Sequence, residues 1–395
     1  MFRSSTWLAA VCLLLSPAPL VVSQEPKPEA KSEKLDFDRA RELMRKRNQG
    51  EKLSPEDEAF MRRAIDAYQA WQYLERVTGG KADNPPRTRA DAPARPRAEG
   101  KMSVGFKPLT EMTAGDKYKG EDGGLYGGGK NTPPAEHQTL AAAESAKIEP
   151  LAADGKPAED GVIGLISISM SNATQEFSVF KRIAGADPQK SPRVRIVDCA
   201  QGGQAMAEWA PADAAPWRTA ANLLTAANVS PQQVQVAWIK LANKVPQGDL
   251  PEHGKKLERD TLAVIQNAKA KFPNLRVAYL SSRIYGGYST GALNPEPYAY
   301  EGAFVVRWLI QDQMRGSQEL TATGKAEEIK SPVLLWGPYL WADGTTPRAS
   351  DMLVYNREDL AGDGTHPSEL GRRKVADQLL DFFKSDELAK QWFLK

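Results

Sequence analysis

A histidine with an aspartate three positions before it stands near the end of the chain, in the sequence Asp-Gly-Thr-His-Pro at 363–367. The chain has three histidines, His137, His253 and His366, and only the last has an acidic neighbour before a predicted helix. A carboxylate can orient an imidazole ring, whose second nitrogen then takes the proton of a serine hydroxyl. The alternative is that Asp363 and His366 only cap the final helix, because Asp-Gly and His-Pro pairs are common in turns.

Serines that such a histidine could activate follow the first apolar run of the chain, in the sequence Ser169-Met170-Ser171. Ser171 precedes the letters Asn-Ala-Thr-Gln-Glu, so it is also a candidate N-cap of a helix. A nucleophile at this place would look like a cap, so the two interpretations are compatible. Ser169 is the alternative nucleophile, because element boundaries read from a sequence are uncertain by a few residues.

Other polar residues follow the later apolar runs. Asn243 comes after the third run, where it is either a functional amide or a turn residue. The substrate-pocket candidates are Ser169, Asn172, Lys240, Arg283 and Tyr285. Lys240 either binds an anion or reaches solvent, whereas Arg283 and Tyr285 either bind a sugar or carboxylate or are packed surface residues.

The elements that would position these residues form a regular alternation after residue 160. Apolar β-branched runs predict strands at 162–168, 194–197, 234–239, 277–280 and 333–336. Amphipathic segments predict helices at 217–227, 257–271, 300–314 and 368–383. This alternation is typical of an α/β fold, a parallel sheet with helices on both faces. In such sheets the ligand site lies at the carboxyl ends of the strands, where the polar residues stand.

The Asp-x-x-His-Pro sequence before a C-terminal helix, with a serine after strand one of a five-stranded α/β domain, resembles the SGNH (GDSL-like) hydrolases. The likeness covers about residues 161–385. It implies a flavodoxin-like, three-layer α/β/α sandwich with a five-stranded parallel sheet, and an esterase or lipase-type acyl hydrolysis. By this resemblance Ser171 is the nucleophile, and Asp363 and His366 complete a catalytic triad.

The resemblance also implies an oxyanion hole made by the serine amide, a glycine amide and an asparagine side chain. Gly202 or Gly203 stands for the glycine, and Asn243 stands for the asparagine. Ser169-Met170-Ser171 replaces the usual Gly-Asp-Ser, and the usual Gly-x-Asn-Asp is absent. The implied function is an exported esterase whose candidate substrate is a small-molecule or carbohydrate ester, such as an acetylated carbohydrate. The alternative is a catalytically silent protein of the same fold that binds a saccharide or a cell-envelope component.

The start of the chain predicts export. Arg3, an apolar run at 7–15 and small residues up to Ser23 are typical of a secretory signal peptide, predicted at 1–23. The apolar run is too short to cross a bilayer as a helix, although an uncleaved anchor is the alternative. We therefore expect a periplasmic or extracellular protein without a transmembrane anchor after cleavage.

The rest of the chain divides into five predicted segments. They are a disordered lead-in at 24–34, a helical hairpin at 35–79, a Pro/Arg-rich linker at 80–102, a loop-rich Gly/aromatic segment wrapping onto the next domain at 103–160, and the α/β domain at 161–390. The hairpin carries no clustered chemistry, so it either packs on the protein or binds an envelope partner. The whole chain also resembles secreted proteins of planctomycete-type bacteria, a likeness that implies no function.

Charge and cysteine content exclude several classes of protein. Lys plus Arg number 52 against 50 Asp plus Glu, a net charge of +2, which argues against a nucleic-acid-binding protein. Signal cleavage would remove Cys12 and leave Cys199 alone, so the fold is expected to lack an internal disulfide. The histidines lie far apart without cysteines or suitably spaced carboxylates, so we expect no metal site and no cofactor.

Overall fold

The computed structural model of the protein describes residues 101–325 and 328–395 and, before these, residues 36, 39–40, 42–43, 46, 53–61 and 63–64. The predicted signal peptide at 1–23 and lead-in at 24–34 lie outside the described residues, as does the linker up to residue 100. In the predicted hairpin, described residues from 39 to 46 and from 55 to 64 are helical. There Arg39 pairs with Asp57 at 2.9 Å and lies over the ring of Phe60.

Within the described residues, five strands form one sheet in which all neighbours are parallel. The strands are β1 (Ile163–Ile168), β2 (Val194–Val197), β3 (Val234–Lys240), β4 (Val277–Ser281) and β5 (Val333–Trp336). Their order is β2-β1-β3-β4-β5, that of flavodoxin-like folds. Apart from Arg195, every strand residue is buried, as a sheet covered on both faces requires. The predicted strands are confirmed.

Helices cover both faces of the sheet. They are α1 (Ala135–Ser145), α2 (Ser171–Ala186), α3 (Met206–Trp209), α4 (Ala215–Ala226), α5 (Leu250–Lys271), α6 (Tyr298–Met314), α7 (Glu369–Ser385) and α8 (Lys390–Phe393). Phe177 of α2 stacks on Trp238 of β3, and Phe383 of α7 contacts Tyr279 of β4. Because Trp238 and Tyr279 are register partners, α2 and α7 share one face, while α5 packs on α6. The predicted three-layer α/β/α sandwich is confirmed.

Helices α1 and α5 differ from the sequence-based prediction, and the short helices α3 and α8 were not predicted. Helix α1 lies inside the segment that was predicted to be loop-rich. It was not predicted because its sequence is mostly alanine and polar residues, which give little apolar periodicity. Its His137 is buried and bonds to the main-chain oxygen of Leu334, 2.8 Å away. Helix α5 begins at Leu250, seven residues before the predicted start, with Pro251 in the first turn, where proline is favoured.

The aromatic residues of the 103–160 segment pack on α6. The ring of Phe106 stacks on Tyr300, with centroids 4.9 Å apart, and Tyr118 stacks on Phe304 at 5.6 Å. These contacts account for the aromatic content that separates this segment from an ordinary linker. In the described part of the chain, no helix combines the length and apolar character needed to cross a membrane.

Candidate active site

Ser171 stands at the carboxyl end of β1, where the chain turns into α2. It is the first residue of the helix, and the extended Met170 before it is the N-cap, so the N-cap interpretation of Ser171 is wrong by one position. The first amides of a helix have no partner inside it, which leaves the Ser171 N–H able to bind an oxygen atom. The Ser171 hydroxyl lies 2.8 Å from Nε2 of His366.

His366 and Asp363 share a turn between β5 and α7. Nδ1 of His366 lies 2.6 Å from Oδ2 of Asp363, and the other carboxylate oxygen accepts the amides of Thr365 and His366, each at 3.0 Å. Burial raises the pKa of the Asp363 carboxyl, but the hydrogen bonds from the His366 ring and these amides outweigh burial and lower it to about 2. A carboxylate that stays ionised holds the Nδ1 proton and leaves Nε2 facing Ser171.

Glycine is required inside this turn. Gly364 has a φ of +67°, and a Cβ atom placed there would lie 1.8 Å from the main-chain oxygen of Tyr288. The next residue is also fixed, because the main-chain oxygen of Thr365 accepts hydrogen bonds from Nδ2 of Asn172 at 2.9 Å and from Nη2 of Arg283 at 3.0 Å. The turn is therefore held by α2 and by the segment that follows β4.

Ser171 faces a cavity of about 270 Å³ at the carboxyl edge of the sheet. The residues that line it come from the segments after β1, β2, β3 and β4 and from the turn before α7: Met170, Ser171, Asn172, Gly203, Ala205, Ala242, Asn243, Lys244, Arg283, Leu293, Asn294, Thr365 and His366. A concave site with a few convergent polar groups is the usual form of an active site.

Two of the three residues considered for the oxyanion hole lie at this cavity. Gly203 lines it and has a φ of +74°, whereas Gly202 is not among the lining residues. Oδ1 of Asn243 accepts the amide of Ala207 at 3.0 Å, and Nδ2 donates to Asp260 at 2.7 Å. These partners fix the orientation of the Asn243 amide, and the second proton on Nδ2 remains for a ligand.

Three of the five substrate-pocket candidates lie in the interior instead. Ser169 is fully buried, and its hydroxyl donates to the main-chain oxygen of Lys240, which also removes it as an alternative nucleophile. Lys240 neither binds a free anion nor reaches solvent, because its ammonium pairs with Glu176 at 2.5 Å and both side chains have no exposed surface. The hydroxyl of Tyr285 donates to the main-chain oxygen of Lys101 at 2.7 Å.

The other two candidates, Asn172 and Arg283, line the cavity. Arg283 is buried, and each of its terminal nitrogens donates to a main-chain oxygen, Nη2 to Thr365 at 3.0 Å and Nη1 to Leu293 at 3.4 Å, so the guanidinium supports the segments around the cavity. Sequence reasoning did not find the apolar lining residues. Alanine and methionine side chains have no chemical group that indicates a site. The one signal available was their position next to the polar residues that follow each strand.

The chain matches no family model and no curated protein sequence. Among solved structures, a Bacteroides fragilis protein assigned as an acylhydrolase is similar over 66% of this chain and 100% of its own, with 11% identity and a TM-score of 0.33. The periplasmic domain of the lipopolysaccharide acetyltransferase of Salmonella ser. Paratyphi A is similar over 56% of this chain and 84% of its own, with 11% identity and a TM-score of 0.31. At this level of similarity no activity is carried over from these proteins.

Proposed function

We propose that the protein is an exported serine hydrolase that cleaves an acyl ester, with an acetylated carbohydrate as its candidate substrate. The observation that carries the proposal is the continuous hydrogen-bonded chain from Ser171 through His366 to Asp363 at the mouth of a cavity. The three residues have different roles in the proposed reaction: Ser171 is the nucleophile, His366 is the base, and Asp363 orients the base. The predicted signal peptide supports export.

In the first half of the reaction, Nε2 of His366 takes the proton of Ser171 as Oγ attacks the ester carbonyl carbon. The carbonyl oxygen becomes an oxyanion, and its proposed donors are the amide of Ser171, the amide of Gly203 and Nδ2 of Asn243, three residues that line the same cavity. Each such donor typically contributes about 3–4 kcal/mol to the transition state. The positive end of the α2 dipole favours the same negative charge.

The protonated His366 then gives its proton to the alcohol oxygen as the bond from that oxygen to the carbonyl carbon breaks. An acyl group remains on Ser171. A water molecule loses a proton to His366 and attacks the acyl carbon. As the bond from that carbon to Oγ breaks, His366 returns the proton to Oγ, which releases the carboxylic acid and restores the serine. Throughout, the ionised Asp363 stabilises the imidazolium form of the ring.

The decisive experiment compares hydrolysis of p-nitrophenyl acetate by the wild type, Ser171→Ala and His366→Ala. Both variants are expected to lose about 10³-fold or more in kcat/KM, because residues of a triad act as a unit. Ser178→Ala is the matched control, an exposed serine on the same helix, and is expected to keep the wild-type rate. Equal rates in all four proteins would contradict the proposal and favour the binding-protein alternative.

A further inference from the structure

The cavity at Ser171 has two halves of different character. The segments after β2 and β3 contribute Gly203, Ala205, Ala242 and Asn243, and they meet where the amides of Met206 and Ala207 bond to Ala242 and Asn243. The segment after β4 and the turn before α7 contribute the second group, in which Arg283 donates to the main-chain oxygens of Leu293 and Thr365: Arg283, Leu293, Asn294, Thr365 and His366. Ser171 bonds to His366 of the second group, and Met170 beside it packs on Ala205 and Ala242 of the first, so an ester bound at the Ser171 hydroxyl can contact both groups.

The chemistry decides which substituent goes where. His366 must protonate the departing alcohol, so the alcohol oxygen has to lie on the His366 side. The tetrahedral carbon carries four groups: Oγ of Ser171, the oxyanion, the alcohol oxygen and the acyl chain. With the alcohol oxygen toward His366 and the oxyanion toward the proposed donors Gly203 and Asn243, the apolar lining left for the acyl chain is the cluster of Met170, Ala205 and Ala242.

The acyl half has an apolar wall formed by Met170, Ala205 and Ala242, which pack together as a small buried cluster. The wall is fixed by its surroundings: the main-chain oxygen of Ala242 accepts the amide of Met206, and the hydroxyl of Ser169 contacts the Met170 sulfur at 2.7 Å. The wall is thus a packed surface and cannot open for a long chain without displacing the core.

The two halves also differ in how they meet solvent. The wall residues are at most 7% exposed, whereas Leu293 on the alcohol side is 43% exposed and lies at the rim. The whole cavity of about 270 Å³ is slightly smaller than the roughly 300–1,000 Å³ of sites that enclose drug-sized ligands. A short chain fits the closed half, and a large alcohol can extend past the open rim.

We propose that Met170, Ala205 and Ala242 form an acyl-binding subsite that restricts the substrates to esters of short acyl groups, from acetyl to butyryl, and leaves the alcohol side open. This inference rests on the proposed esterase function. It adds to that function the residues that set acyl-chain length, and none of these three residues carries out the bond-breaking steps.

The test is an acyl-chain series of p-nitrophenyl acetate, butyrate and octanoate with the full mature chain. The wild type is expected to lose at least 100-fold in kcat/KM between butyrate and octanoate. Ala205→Val and Ala242→Val, which narrow the wall, should reduce butyrate hydrolysis at least 10-fold more than acetate hydrolysis. Met170→Ala, which widens it, should raise the octanoate-to-acetate ratio at least 10-fold.

Leu293→Ala is the matched control, because it removes an apolar side chain from the alcohol half of the same cavity. Its octanoate-to-acetate ratio is expected to equal that of the wild type. A wild type that hydrolyses octanoate as well as butyrate overturns the subsite, as does a ratio that responds to Leu293→Ala and not to the wall variants. Absence of Ser171-dependent hydrolysis with every ester instead overturns the proposed function itself.

Discussion

Nη2 of Arg283 donates a hydrogen bond of 3.0 Å to the main-chain oxygen of Thr365, the residue directly before His366. The same oxygen accepts a hydrogen bond from Nδ2 of Asn172, which belongs to α2, the helix that begins at Ser171. Arg283 follows β4, so these two hydrogen bonds connect the turn that contains His366 both to the sheet and to α2 through one carbonyl oxygen. We expect the position of the imidazole relative to the Ser171 hydroxyl to depend on these two bonds.

Replacing Arg283 should therefore weaken the proposed reaction through kcat. Arg283→Met is expected to lower kcat for p-nitrophenyl acetate about 10- to 100-fold with little change in KM, because small displacements of a catalytic base are costly. Arg283→Lys should recover little, since an ammonium cannot bridge two carbonyls in the planar geometry of a guanidinium. A raised KM with unchanged kcat would show instead that Arg283 binds the substrate.

Gly364 should be irreplaceable in the same turn. In Gly364→Ala the new Cβ would meet the main-chain oxygen of Tyr288 at 1.8 Å, at a φ that alanine rarely adopts. We expect the free energy of unfolding to fall by about 2–4 kcal/mol in urea denaturation, together with loss of esterase activity. Gly362→Ala is the control two residues away, where a Cβ meets no atom within 4 Å, and it should remain close to wild type.

The sequence allowed the sheet to be predicted well, and the reason is physical. Buried parallel strands are continuous apolar β-branched runs, and polar segments mark their ends. Helices were predicted where large apolar residues recur, as in α6 and α7, and one was missed in the alanine-rich α1, whose buried face consists of His137, Ala141, Glu144 and Ser145. The pairing of Asp363 with His366 was predictable because the two residues are only three positions apart in the sequence.

Other parts of the site depend on long-range contacts that spacing does not encode. Lys240 and Glu176 are 64 positions apart, and nothing in either local sequence indicates that they pair. The choice between Ser169 and Ser171 depends on where the helix begins, a difference of two residues in the chain that decides which hydroxyl meets His366. The proposed acyl-binding subsite contains two alanines, and nothing in a sequence separates an alanine of a core from one of a binding site.

Asp260 accepts a hydrogen bond from Nδ2 of Asn243, so it should affect the proposed oxyanion hole through Asn243. Asn243→Ala is expected to lower kcat about 10²- to 10³-fold. Asp260→Ala, which frees the Asn243 amide to rotate, should lower kcat less, about 5- to 10-fold, and should have no further effect in the Asn243→Ala background. Asp260→Asn keeps an acceptor oxygen for Nδ2 and should restore most of the activity.

The double-mutant cycle separates this role from a general effect on stability. Equal losses from Asp260→Ala in both backgrounds would contradict a connection through Asn243. Lys256 pairs with Asp260 at 2.6 Å from an exposed position on α5, so Lys256→Ala is a control that removes a partner of Asp260 and leaves its bond to Asn243. This variant should keep nearly wild-type kcat.

The ion pair of Glu176 and Lys240 links α2 to the end of β3 beneath the site. Burial raises the pKa of the Glu176 carboxyl and lowers that of the Lys240 ammonium, and the attraction between the two opposes both shifts. Removing one partner leaves a charge in the core with no counter-charge. Lys240→Met is therefore expected to lower the free energy of unfolding by about 3–5 kcal/mol in urea denaturation.

The double variant Lys240→Met/Glu176→Leu should recover most of that loss, because a buried ion pair is often no more stable than apolar residues of similar volume. The exposed pair of Lys156 and Asp154 provides the comparison, and Lys156→Met should leave the unfolding transition almost unchanged. If Lys240→Met costs no more than Lys156→Met, the buried pair does not hold α2 on the sheet. If the double variant is folded but its kcat falls, the pair contributes to the alignment of Ser171 beyond its contribution to stability.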